Sequence, residues 1–552
     1  MATKLSRYRK SGSRTAMARN HSQYTLRSYF TSPYFTLLTR GTMDTVITVL
    51  LLLSVAFLAG RIQQGRQRLP PGPKGWPVLG NLWSMPKNFD WLTYQKWSRE
   101  FDSDIIYLRM FRTNVIVLNS HRAVRDLLDS RSNIYSDREQ MVMMNTLMGW
   151  DINFAFKSYG EQWREQRRSF HQIFTPSVVT QYRPRISSEA GKLLKRLIDD
   201  PEDFMDHIRT TTGAIILGIT YGMKIRGLKD PYVVLAENAL HAMAMAGNAG
   251  SYLVDSFPVL RHLPDWFPGT KFKREASEWN GYVSQMFNQP FEIIRQKLDN
   301  GEAESSILGS LLTRLDPDKD NSHEERVIRG ITGAAYTGGA DTTVSSFQTF
   351  ILAMLHYPEV QKKAHEELDR IVGADRLPEF EDKDRLPYIM GIMIETLRWR
   401  NVLPLAIPHR LMVDDEYKGY HLPAGSLIVA NTWAILHDES KYPNPDVFDP
   451  SRYLKPDGQL DPNAPAPTEA AFGYGRRICP GRHFAMESLW VLIVYVLATL
   501  RIDKAKDADG KVIEPSGEYT SGMLSYPVRY KASFIPRSAA SNTLIENLSL
   551  ID

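Results

Sequence analysis

The chain holds one cysteine, Cys479, in 552 residues. That count rules out an intramolecular disulfide framework, a Cys-rich zinc site and a Cys-ligated iron–sulfur cluster. A fold of this length must then be held by packing. The material is present: apolar residues make up 43% and aromatics 11%, too much for a disordered chain. Length alone suggests about three or four domains. Yet from Leu69 to Arg537 no Gly/Ser linker, repeat or low-complexity block breaks the sequence, so one large domain is expected.

Helical patterns dominate that body. His323–His356 reads as one long helix with three glycines near its middle, Gly333, Gly338 and Gly339. Each glycine costs up to about 1 kcal/mol in a helix interior, so something is expected to pack close to the backbone there. Pro358–Val372 and Pro387–Trp399 each open with the Pro that a first helical position favours. Strand-like runs are short: Ile105–Arg109, Asn114–Leu118, Glu416–Leu422 and Ser426–Asn431. His483–Leu500 is apolar, but it contains Glu487 and its uninterrupted run is too short for a span, so it reads as a core helix.

The net charge of +5 is unevenly placed. Residues 1–40 carry eight Lys or Arg and no acid, which leaves the rest of the chain at −3. A nearly neutral body gives no sign of a nucleic-acid partner. Thr45–Gly60 is an uncharged apolar run, followed by Arg61, Arg66, Arg68 and the Pro/Gly stretch Leu69–Pro77. The expected organisation is a basic extension over 1–42, a transmembrane anchor over 43–60, a linker over 61–77, a catalytic body over 78–537 and a tail over 538–552. The extension has the composition of a mitochondrial transit peptide. Against that, a start at Met43 puts Asp44 before the span and three Arg after it, which places the body in the cytosol. A single-pass anchor in the endoplasmic reticulum is therefore favoured over a mitochondrial address or a cleaved signal peptide. The sequon at Asn547 would be unused on a cytosolic tail.

A lone cysteine is ordinarily an inert buried residue. The surroundings of Cys479 argue otherwise. It lies in Phe472-Gly-Tyr-Gly-Arg-Arg-Ile-Cys-Pro-Gly481, just before an apolar helix. Arg476 and Arg477 offer positive charge, the glycines permit a tight loop of amides, and a helix N-terminus favours an anion. These are the conditions a thiolate needs.

The Phe-x-x-Gly-x-Arg-x-Cys-x-Gly pattern resembles the haem-ligand loop of the cytochrome P450 family. Around a single Cys, four matches at fixed offsets arise by composition at roughly 10⁻⁵. The resemblance extends over Leu69–Arg537. It includes Glu395-Thr-Leu-Arg398, 84 residues before the cysteine, and the segment Pro445–Tyr453 with Arg452. It also includes Gly338-Gly-Ala-Asp-Thr342-Thr in the long helix. Residues 137–151 and 431–458 are similar to fungal, especially basidiomycete, members of the O-methylsterigmatocystin oxidoreductase-like group.

The resemblance implies a mainly α fold with small β-sheets and a haem b cofactor with Cys479 as axial iron ligand. Phe472, Trp163, Arg167, Arg138, His409 and Arg477 are then the other haem-binding residues, the cations serving the propionates. Glu395, Arg398 and Arg452 form a structural trio. Asp341 and Thr342 relay protons during oxygen activation. The substrate pocket is expected to include Met141, Met148, Ala335, Val402, Leu403 and Met523, apolar walls for a small hydrophobic molecule. The implied activity is a monooxygenase fed by NADPH through a membrane-bound cytochrome P450 reductase, with cytochrome b5 as a further candidate donor. Arg164 and Arg168 belong to the expected docking face. The rival readings are a haem-thiolate isomerase or dehydratase, a non-catalytic haem sensor and a cysteine hydrolase.

Overall fold

The computed structural model describes residues 68–227, 229–247 and 250–548. Helices carry most of the chain. In order they are α1 (Asp90–Glu100), α2 (Glu161–Ile173), α3 (Arg183–Asp199), α4 (Phe204–Tyr221), α5 (Pro231–Ala246), α6 (Lys271–Asp299), α7 (Ser322–His356), α8 (Pro358–Ile371), α9 (Pro387–Trp399), α10 (Arg482–Thr499) and α11 (Ala539–Leu548), with shorter turns between them. The strands are β1 (Ile105–Met110), β2 (Thr113–Leu118), β3 (His409–Arg410), β4 (Asp415–Tyr417), β5 (Tyr420–Leu422), β6 (Leu427–Ala430), β7 (Leu500–Lys504) and β8 (Ala532–Pro536). They make a four-stranded sheet in the order β1-β2-β6-β3 and two hairpins, β4-β5 and β7-β8. The expected fold class, mainly α with small sheets, is what the chain adopts.

Local chemistry explains the helix ends. Asp230 caps α5 by accepting from Tyr232 N at 3.0 Å, with Pro231 at the first position. α9 also opens on a proline, and Glu367 of α8 accepts its next two amides, Tyr388 N at 3.0 Å and Ile389 N at 3.1 Å. α4 ends at Gly222, whose φ of +68° only glycine adopts without strain.

The 35-residue α7 runs through the core and packs on α4, α2, α10 and α9. Its glycines behave differently from one another. A Cβ at Gly333 would stand 2.1 Å from the ring of Phe287 on α6, and one at Gly339 would stand 2.7 Å from Ile216 on α4. A Cβ at Gly338 would meet nothing within 4 Å. Two of the glycines thus admit neighbouring helices, and the third borders open space.

Three expectations change. The run Glu416–Leu422 is two strands: Lys418 and Gly419 both take positive φ, +53° and +73°, and turn the chain back as a two-residue hairpin loop. Leu69–Pro77, expected as a stiff elbow within the linker over 61–77, packs on the body: Tyr107 N donates to Pro71 O at 2.9 Å and Gly72 lies flat against Tyr107, where a Cβ would meet its carbonyl at 2.0 Å. The stretch belongs to the same compact unit as the rest of the body from Leu69 onward. The tail over 538–552 contains α11, which buries Ser541 and Ile545 and packs on α3 and α10. α10 is long and apolar enough to cross a membrane by composition, but 67% of it is buried in the protein, as a core helix requires. Residues 1–42, the anchor over 43–60 and the sequon's Ser549 lie outside the described residues.

Candidate active site

A cavity of about 290 Å³ opens between the middle of α7 and the loop before α10. Cys479 and Phe472 line one side of it, and Gly338 and Thr342 line the other.

The cysteine loop is shaped by its glycines. Gly473 and Gly475 take φ of +77° and +54°, and a Cβ at Gly475 would stand 2.0 Å from Leu128 O. Cys479 N donates to Phe472 O at 2.7 Å, which closes the loop. Gly481 is the N-cap of α10, and its N–H points at the Cys479 sulfur. Burial pushes the thiol above its ordinary range; the Gly481 amide, Arg167 and Arg482 pull against that. The charge near the sulfur therefore differs from the expected source. Arg476 is exposed and donates to the Tyr159 hydroxyl. Arg477 turns to backbone carbonyls. Arg482, the first residue of α10, was not singled out from the sequence, although an Arg three residues after the cysteine at a helix start was the available signal.

Four protonatable side chains gather beside this loop, all partnered by carbonyls. Arg477 donates to Ser136 O at 2.8 Å, Phe154 O at 3.1 Å and Lys157 O at 2.8 Å. Arg138 donates to Ile407 O at 2.6 Å, Pro408 O at 2.7 Å and Ala155 O at 3.1 Å. Arg167 on α2 donates to Ile478 O at 2.7 Å, and His409 on β3 hydrogen-bonds Tyr135 O through Nδ1 at 2.7 Å. The ring of Trp163 lies under the Arg477 guanidinium at 4.4 Å. Among the described residues none of the four is ion-paired. The electrostatic consequence is uniform. Burial, then the mutual repulsion of Arg138 and Arg477, holds Arg138 well below its usual range. Burial first, with Arg167 nearby, brings Arg477 down to about 9. Burial brings Arg167 down to about 10. Burial, then Arg138 and Arg477, keeps His409 neutral.

Buried cations without a counter-charge are costly unless an anion joins them. Burial makes the Cys479 thiol costly to ionise, the amide and guanidinium donors offset part of that cost, and a metal on the sulfur would offset the rest. One group answers both demands: an iron porphyrin, whose metal takes the sulfur and whose two carboxylates take the cations. The donor set fits haem.

The comparisons with known proteins agree. The family model "Cytochrome P450" matches residues 70–534. The chain belongs to the cytochrome P450 family. Cytochrome P450 monooxygenase 98 of Postia placenta is 43% identical over 488 residues, covering 88% of this chain and 94% of that protein. Tryptamine 4-monooxygenase of Psilocybe cyanescens is 40% identical, covering 90% of this chain and 98% of that protein. The monooxygenase ple1 of Rhodocybe pseudopiperita is 38% identical, covering 91% and 95%. This P450 is a haem-thiolate monooxygenase of the fungal type.

On the α7 side of the cavity, Thr342 Oγ1 donates to Gly338 O at 2.8 Å, one turn back, so the hydroxyl sits where Gly338 leaves the helix open. Asp341 also borders the cavity, but both its oxygens are engaged elsewhere. Oδ1 accepts from Arg209 Nη1 on α4 at 2.5 Å, and Oδ2 accepts from the Tyr526 hydroxyl. Neither Arg209 nor Tyr526 carries a sequence signal; both reach Asp341 from more than 130 residues away.

The Glu395–Arg398 pair of this P450 is fully buried, with contacts of 2.8 and 2.7 Å. Arg452 joins Glu395 at 3.3 Å. Tyr453 OH and Asp449 N complete the carboxylate at 2.7 and 3.0 Å, partners the sequence did not single out. Arg398 also donates to Leu436 O and Pro445 O, so one helix turn of α9 fixes the segments on both sides of it.

Of the expected pocket residues, Ala335, Val402, Leu403 and Met523 line the cavity. Met141 and Met148 do not. The segment 142–147 coils as a wide helical turn against α6 and leaves Met148 fully buried in the core. Leu240 and Met243 of α5 and Ile216 of α4 supply that side of the wall instead.

Proposed function

We propose that this P450 is a membrane-anchored, reductase-coupled enzyme that inserts one oxygen atom into a small hydrophobic molecule. The substrate classes that suit it are terpenoid or polyketide secondary metabolites and aromatic or steroidal xenobiotics. The observation that carries this reading is the wall opposite Cys479. It is built from Leu240, Met243, Ala335, Val402, Leu403 and Met523, with no uncommitted charged side chain among them. Such a wall binds by burial of apolar surface, and its methionines adapt to several shapes.

Haem, when bound, supplies the oxygen chemistry. The chain's own residues do the rest. Cys479 would hold the iron, and Arg138, Arg167, Arg477 and His409 would hold the carboxylates. Thr342, exposed to the cavity, would hold and pass on a proton at Oγ1 from the Asp341 side. The apolar wall excludes water and orients the reacting carbon. Arg164 and Arg168 on α2 belong to the reductase docking face. Both pair with Glu161, at 2.9 and 3.4 Å, so each presents a partly neutralised charge that an acidic partner must compete for.

Attachment to a cytosolic membrane face is supported by the surface as well as by the apolar run over 45–60. Trp83, Val259 and Trp266 are 73%, 71% and 81% exposed. Phe111 lies between the two segments that carry them: its N–H donates to Leu79 O, and its ring packs on Phe257 at 5.2 Å. Exposed aromatic and apolar side chains of this kind suit a lipid surface.

The test is turnover in membranes with a P450 reductase, NADPH and ¹⁸O₂ across terpenoid, polyketide, steroid and polycyclic aromatic compounds. One labelled oxygen in product, dependent on NADPH, is expected. Product formed without NADPH or without label would favour an isomerase or dehydratase. Thr342→Ala is expected to keep haem and lower product per NADPH severalfold, with hydrogen peroxide released; unchanged coupling would remove Thr342 from the relay.

A further inference from the structure

Asp341 borders the cavity, yet neither oxygen is free to serve it. Arg209 holds Oδ1, and its Nε also pairs with Glu237 of α5 at 2.8 Å. α5 contributes Leu240 and Met243 to the wall. Tyr526 holds Oδ2 and follows Met523 and Leu524, which are wall residues too. Two walls of the substrate cavity therefore end on the same carboxylate.

The two bonds are unequal. The Arg209 contact is a buried ion pair, and Asp341 and Glu237 hold that guanidinium charged against the effect of burial. The Tyr526 contact comes from a neutral phenol, a weaker donor than a guanidinium. Burial, then the Asp341 charge, keeps that phenol protonated. The Tyr526 bond is therefore the weaker of the two ties. Its loop is closed on itself, with Thr520 N donating to Tyr526 O at 2.7 Å and Tyr526 N donating to Thr520 Oγ1 at 3.0 Å. Displacement of Met523 and Leu524 is thereby passed to Tyr526.

We propose that Tyr526 is a positioning residue for Asp341. In the empty cavity it holds the carboxylate off proton delivery, and a substrate seated against Met523 and Leu524 shifts the loop and frees Oδ2. The inference rests on the reading of Asp341 as a proton relay given above. It adds that the relay is tied to occupancy of the pocket.

The test uses the full-length, haem-loaded protein with its reductase, comparing Tyr526→Phe, Asp341→Asn and the double variant. Without substrate, Tyr526→Phe is expected to oxidise NADPH at least threefold faster than the unaltered protein. In the Asp341→Asn background the same change is expected to add nothing. Thr520→Val, which loosens the loop closure and leaves the phenol in place, should raise the substrate-free rate in the same direction. A readout independent of turnover is the infrared carboxylate stretch of Asp341, isolated as the ¹³C-aspartate difference against Asp341→Asn. It should shift in Tyr526→Phe. An unchanged stretch, an unchanged substrate-free rate, or an equal rise in the Asp341→Asn background would each overturn the proposal. If Asp341→Asn itself keeps full product per NADPH, the relay reading fails; if Asp341→Asn is impaired and Tyr526→Phe leaves the substrate-free rate unchanged, only the Tyr526 assignment fails.

Discussion

Two groups of buried charge lie within this P450, and they are built on opposite plans. Around Glu395 the charges are paired. One carboxylate takes Arg398 and Arg452 and is completed by Tyr453 and a backbone amide. Around Arg477 they are not. Arg138, Arg167, Arg477 and His409 have carbonyls and no carboxylate. Burying a charge costs several kcal/mol unless it is paired. The paired group therefore belongs to the fold, and the unpaired one is the group open to a ligand that brings negative charge. The contrast says which buried ions are architecture and which are site.

The contrast can be broken experimentally, most severely at Glu395. Glu395→Gln leaves two buried guanidinium groups uncompensated and should cost about 3–5 kcal/mol of stability. Haem loading should not rescue that loss, as urea unfolding with and without haem would show. Arg477→Leu should behave the other way. Losing a charge-assisted partner of the haem should weaken haem retention by about 1.5–3 kcal/mol, roughly 10- to 100-fold. The haem-free protein should lose far less stability than in Glu395→Gln. Haem transfer to an apoglobin acceptor reads the first effect and unfolding of the haem-free protein reads the second.

The smallest effect is a pH dependence. Burial, then Arg398 and Arg400, push His437, which lies beside the paired group, down to about 3. The unfolded chain then binds a proton that the folded chain refuses. The stability His437 brings is complete above its ordinary value of 6.5 and is lost as pH falls toward 3. His437→Gln should flatten unfolding free energy across that window, by at most about 1.4 kcal/mol per pH unit. His409 is lowered for the same reasons, burial and neighbouring arginines. Its penalty should shrink when haem carboxylates enter, so His409→Gln should flatten the haem-free curve more than the loaded one. Equal flattening would remove His409 from the haem-binding cluster.

Much of this was legible in the sequence because it is local. The cysteine loop, the Gly338–Thr343 stretch and the Glu395/Arg398 turn are short patterns whose chemistry depends on neighbours a few residues away. The long helix and its glycines followed from periodicity, and the close approaches at Gly333 and Gly339 explain why glycine is needed there. What the sequence hid is what folding brings together from afar. Arg209 and Tyr526 meet Asp341 from α4 and from a loop near the end of the chain. Met141 and Met148 looked like pocket walls because they are apolar, but with the wide turn over 142–147 between them neither lines the cavity. The Lys418-Gly419 turn was missed because a strand-like composition ran through it.

The central claim is that Cys479 holds haem iron as a thiolate within this cavity. The direct test is the absorption spectrum of the reduced, CO-bound protein, paired with that of Cys479→Ala. The account predicts a strongly red-shifted Soret band in the unaltered protein and its complete loss in Cys479→Ala. An unshifted band in the unaltered protein, or a thiolate-type band that survives in Cys479→Ala, would contradict it.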